Sequence, residues 1–108
     1  MPAKSKNGRD VPAPLLHALN HSVRRNVLRL LEQRGEGGRL SPVEASDLLE
    51  VSLTTVAYHF RVLVSTQAVE EVGRQQVRGT IQHFFQLSDS LREASWVQGV
   101  LRDTAADD

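Results

Sequence analysis

The chain has 108 residues, 40% of them apolar, with 13 Lys and Arg against 13 Asp and Glu. This fits one domain with one modest core. The lack of cysteine excludes disulfides, zinc–thiolate sites and thiol redox chemistry. No apolar run approaches the roughly 20 residues that span a bilayer, and nothing resembles a signal peptide, so a cytoplasmic protein without a membrane partner is expected.

The charge is unevenly spread. Residues 1–34 carry a balance of +5, residues 35–67 one of −2, residues 68–87 none, and residues 88–108 one of −3. A neutral total does not suggest a non-specific coat on nucleic acid. A local basic face is still allowed, because contacts act within a Debye length of about 8 Å.

Residues 1–10 are polar, basic and aperiodic, and read as a disordered arm. The folded domain is expected over residues 11–103, and residues 104–108 as a frayed acidic tail. A first helix begins near Pro14, with Leu15, Leu16 and Leu19 as its apolar positions. Ser22 can cap a second helix, in which Val23, Val27, Leu30 and Leu31 form one stripe. "GEGG", Gly35 to Gly38, ends it, and "RLS" is a possible short strand. Ser41, Pro42 and Glu44 make a capping signature for a third, short helix that should bury Val43, Leu48 and Leu49.

Ser52 caps a fourth helix, "LTTVAYHFRVL". Val56, Phe60 and Leu63 recur at i, i+4 and i+7 and form its buried stripe. Thr54, Thr55, Tyr58 and Arg61 therefore fall on the outside, although Thr and Tyr are poor helix formers. From Ala68 the period changes to that of strands. "AVEEVGRQ" and "TIQHFFQLS" read as a hairpin around "QVRG". A last helix follows, with Leu91, Trp96, Val97, Val100 and Leu101 as its apolar positions.

A short helix, a tight turn and a second helix are the helix-turn-helix plan, and a hairpin directly after makes it winged. The expected fold class is mainly α with a small β-hairpin wing. Three stretches, "HALNHSVRRNVLRLL", "LSPVEASDLLEVSLTTVAYHFRVL" and "RGTIQHFFQLS", resemble the ArsR-like winged helix-turn-helix transcriptional regulators. The most specific parts are "VAYHFRVL" and "HFFQLS".

The resemblance implies a homodimer, joined through the first and last helices, that binds double-stranded DNA with the fourth helix in the major groove. It departs from the family at Glu50 and Gln67, where Gly is usual, and in having no thiolate on the helix before the turn. The family's cysteine-based metal sensing does not carry over. No cofactor and no metal site are expected, and no effector is named by the sequence.

A recognition helix needs hydrogen-bonding and methyl-contacting side chains, which Thr54, Thr55 and Tyr58 supply. Arg61 can pair a phosphate. Arg74 and Arg78, read as near the hairpin tip, suit a narrow minor groove. Arg24 and Arg25 open the second helix against its dipole, so phosphate or an acidic residue should favour them. Leu15, Leu16 and Leu19, with Trp96, Val97, Val100 and Leu101, are more apolar surface than a small monomer readily hides, and form the candidate dimer interface.

The bland readings differ by residue. The threonines could only assist capping, and the hairpin arginines could only discourage strand pairing. His17 and His21 have i, i+4 spacing, but a helix break intervenes. His59 is expected to hold the helix rather than read bases, and His83 to be packed. No nucleophile, phosphate loop or carboxylate pair suggests an enzyme. The rival class is a winged helix that binds protein and not DNA; a winged helix that binds structured RNA is a third.

Overall fold

The computed structural model describes residues 13–89 and Leu91. The expected arm at residues 1–10, the tail at 104–108, and Trp96, Val97, Val100 and Leu101 lie outside the described residues. The elements run α1 (Ala13–Ala18), α2 (Ser22–Gln33), α3 (Pro42–Leu49), α4 (Leu53–Ser65), β1 (Val69–Val77) and β2 (Thr80–Leu87). The two strands form one antiparallel hairpin, and Leu40 adds a single bridge to Phe85 rather than a strand. The architecture is a winged helix-turn-helix.

The core lies where α2, α3 and α4 meet the base of the hairpin. Val27, Leu28 and Leu31 come from α2, and Val56, Phe60 and Leu63 from α4. Leu40, Ala68, Val69 and Leu91 close it. Full burial of each large side chain stabilises by about 1.5–3 kcal/mol relative to exposure. The short α3 differs from expectation. Ala45 is its buried residue, Leu49 is only partly covered, and Val43 and Leu48 are exposed, Leu48 at 55%. A small residue at the contact lets α3 sit close to the core, which turns its larger apolar side chains outward.

Capping sets the helix starts. Ser41 accepts from the Glu44 backbone N–H at 3.1 Å, and Glu44 Oε1 accepts from the Ser41 N–H at 3.0 Å, a complete capping box. The buried Ser41 hydroxyl also lies 3.0 Å from Gln82 Oε1, which ties α3 to the wing. Ser52 caps α4 through the Thr55 N–H at 3.3 Å. For α2 the cap is His21 and not Ser22: His21 is extended, and its Nδ1 accepts from the Val23 N–H at 3.1 Å. The His21 ring is held 4.3 Å from that of His59, which Ser22, inside the first turn, could not match.

Two helix ends use left-handed residues that are not glycine. Glu50 has φ 57° in the turn between α3 and α4. Gln67 has φ 64° after α4, where the Ala68 N–H returns to Leu63 O at 2.9 Å and the Gln67 N–H to Val64 O at 3.0 Å. That bond pair is the Schellman closure, which usually carries Gly at this position.

Candidate nucleic-acid interface

Helix α4 is amphipathic, with one side in the core and the other in solvent. Val56, His59, Phe60 and Leu63 are buried. Leu53, Thr54, Thr55, Tyr58 and Arg61 are exposed along the other side, Tyr58 at 51%. The Thr55 hydroxyl sits 2.9 Å from Ser52 Oγ, so it belongs to the cap as well as to the surface. Among the described residues, the Thr54 hydroxyl has no such engagement. The Arg61 guanidinium lies 6.0 Å from the Tyr58 ring centroid, so the two side chains share one patch. Leu53, exposed at the start of the helix, was not among the sequence candidates; its place one residue before the threonines was the available signal.

The hairpin turns at Arg78 and Gly79, both with positive φ, 53° and 80°. A two-residue turn of the primed class needs this geometry, and only the glycine adopts it freely. Arg78 therefore stands at the tip. Arg74 does not, contrary to expectation: it lies within β1 opposite His83. Its Nε donates to Glu71 Oε2 at 2.9 Å, and His83 Nδ1 donates to the same oxygen at 2.7 Å.

A bulge between Glu71 and Gly73 explains this cluster. Residues three apart on a regular strand face opposite sides. The extra residue restores Glu71 and Arg74 to one face. The His83 and Arg74 hydrogen bonds hold the Glu71 carboxyl below the usual carboxylate range. His83 is thus a half-exposed partner of Glu71 and not a packed side chain.

Arg24 is the clearest correction among the DNA-contact candidates. It is only 5% exposed. Its Nε donates to Ala18 O at 3.3 Å, its Nη2 to His17 O at 3.1 Å, and its Nη1 to His59 Nδ1 at 3.1 Å. The guanidinium closes the α1–α2 junction and supports α4 from behind, so it is not displayed to a phosphate. Arg25 is half-buried, with Nη1 donating to Leu19 O at 3.0 Å. Burial first, then His21 and Arg24, lower the His59 pKa. An imidazole that accepts from arginine at Nδ1 is neutral, with its proton on Nε2.

The candidate dimer surface divides. Leu19, 8% exposed, belongs to the core of its own chain, because the residues after α1 fold back onto α2 and α4. Leu16 is exposed. Leu15 lies in α1. The spacing of His17 and His21 does not survive as a chelating pair, since α1 ends at Ala18 and His21 Nδ1 is occupied as a cap.

The fold and its outward helix define a winged helix-turn-helix domain. Residues 19–72, half of the chain, match the model of the helix-turn-helix domain family. The chain belongs to that family.

Solved structures share the fold. One is the homodimeric winged helix-turn-helix DNA-binding domain of a possible ArsR-family transcriptional regulator from Mycobacterium bovis: 24% identity, TM-score 0.64, with 97% of this chain and 93% of that one covered. Reduced HlyU from Vibrio cholerae is 22% identical at TM-score 0.60, covering 87% and 84%. NolR from Sinorhizobium fredii is 18% identical at TM-score 0.58, covering 86% and 82%. No curated protein matches the chain in sequence.

Proposed function

We propose that the protein is a sequence-specific, ArsR-like transcriptional regulator that binds double-stranded DNA as a homodimer. The observation that carries this reading is the division of α4. Thr54, Thr55, Tyr58 and Arg61 face outward from a helix whose other side is the core, and the helix follows a three-residue turn. In this reading Thr54 and Thr55 contact base edges and thymine methyls, Tyr58 reaches sugar or phosphate, and Arg61 pairs a phosphate. Arg78 enters the neighbouring minor groove from the wing tip. Arg25 and Arg74 are secondary, since each already holds a partner within the chain.

Dimerisation through the terminal helices fits the homodimeric relative and the exposed Leu16, with Leu15, Trp96, Val97, Val100 and Leu101 completing the face. The dimerising domain would span residues 11–103 between the basic arm and the acidic tail. Two recognition helices would then lie one helical turn of DNA apart, about 34–36 Å. The protein would work in the cytoplasm, beside the DNA.

One observation favours the rival reading as a protein-binding module. Leu48 and Leu53 are exposed on either side of the turn, where a protein partner could cover them. Selection of a preferred site from a random DNA library separates the two. Recovery of one palindromic sequence whose binding weakens linearly in log salt supports the regulator. Failure to enrich any sequence supports the module.

A further inference from the structure

A groove of about 530 Å³ separates α4 from the wing, within the roughly 300–1,000 Å³ range of small-molecule sites. Phe60 and Phe85, with ring centroids 5.1 Å apart, form its floor. Ala57 and Val64 line the helix side, and Pro42 an end. The polar groups are on the rim, and they are not equivalent. The Glu71 carboxylate is already taken by Arg74 and His83. Arg61 forms no ion pair among the described residues, and its distance to the Tyr58 ring makes that contact weak.

The groove thus offers a hydrocarbon floor with one available fixed cation at its mouth. An amine would find the carboxylate occupied. A hydrated phosphodiester would gain nothing from a floor of phenyl rings. An apolar body bearing one carboxylate matches both features, through area burial and a bidentate contact to the guanidinium.

We propose that the groove between α4 and the wing binds a small amphipathic monocarboxylate, which draws Arg61 away from DNA. The regulatory half rests on the DNA-binding reading above; the binding half does not. Arg61 belongs to both surfaces, so ligand and DNA oppose each other, and the coupling is reciprocal.

The test uses octanoate as probe, with octylammonium and acetate as controls for charge and for the apolar body. Amide chemical shifts of the DNA-free protein should move saturably at Ala57, Val64 and His83 with octanoate alone. The response should be lost in Arg61→Gln and in Val64→Glu; Val64 is exposed, so the second variant keeps the fold. At fixed ionic strength, octanoate should weaken wild-type binding to a selected DNA site several-fold, and acetate should not. Absence of saturable shifts, equal shifts with octylammonium, or retained shifts in both variants would overturn the site. Saturable octanoate binding with unchanged DNA affinity would overturn the competition while leaving the site. Because the shift measurement contains no DNA, failure of the DNA-binding reading does not obscure its result.

Discussion

Arg24 and His59, 35 residues apart in sequence, meet at 3.1 Å between Nη1 and Nδ1 on the buried side of α4. The same guanidinium holds the carbonyls of His17 and Ala18, so one side chain joins the end of α1, the start of α2 and the back of α4. Hydrogen bonds from a charged donor are worth about 1.5–3 kcal/mol each, and removing a buried network member strands its partners. Arg24→Ala should cost about 2–4 kcal/mol in urea unfolding, and Arg24→Lys should rescue little, because an ammonium cannot reproduce the planar fork. Loss of DNA affinity without loss of stability would contradict this placement.

The pH dependence follows from the same pair. The pKa of His59 is lowered in the fold from its ordinary value of 6.5, chiefly by burial. Above that value the imidazole is neutral in both folded and unfolded chains, and the stability is fully present. As pH falls through 6.5 toward the folded pKa, the unfolded chain takes the proton first and stability is lost. Urea titrations between about pH 7.5 and 5.5 should show this decline, and His59→Gln should flatten it. The exposed Glu71 is also lowered, from 4.5, so its contribution is lost below that window and leaves the two separable. Equal slopes for wild type and His59→Gln would contradict the assignment.

Glu50 and Gln67 hold left-handed backbone without being glycine. The steric cost of that conformation is about 1–2 kcal/mol, partly offset by the greater freedom that glycine has when unfolded. Glu50→Gly and Gln67→Gly should each stabilise by about 0.5–1 kcal/mol, read as a higher urea midpoint at unchanged m-value. Destabilisation by either would show that the side chain, and not the backbone, matters there.

Arg78 allows fold and contact to be separated. Asn is favoured before Gly in a primed hairpin turn, so Arg78→Asn should leave the wing intact or firmer. It should nonetheless weaken DNA binding and reduce the salt slope by about one. Arg74→Ala should change the slope less, because its guanidinium is committed to Glu71. Identical slopes for Arg78→Asn and wild type would remove the tip from the interface.

Local signals carried most of the architecture. The period-3.6 stripe of Val56, Phe60 and Leu63 marked the buried side of α4, and Ser41 with Glu44 marked the start of α3. The switch to strand pattern after Ala68 marked the wing. Long-range partners were not legible. Nothing local tells that Arg24 meets His59, or that Leu19 folds into its own core. The bulge that gathers Glu71, Arg74 and His83 was equally hidden, because a one-residue insertion exchanges the faces of a strand without altering its composition. On α3, apolar character did not reveal that little Ala45 would take the contact and leave Leu48 outside.

The outward side of α4 separates a DNA-binding regulator from a protein-binding module most directly. Thr54→Ala, Tyr58→Ala and Arg61→Ala can be compared with wild type by fluorescence anisotropy, on a selected site and on a scrambled duplex, across a series of salt concentrations. Thr54→Ala should lose about 1–3 kcal/mol on the selected site and little on the scrambled one. Arg61→Ala should weaken both duplexes and lower the salt slope by about one. If every variant, correctly folded, binds both duplexes with wild-type affinity, this side of the helix does not read DNA, and the protein-binding module becomes the better description.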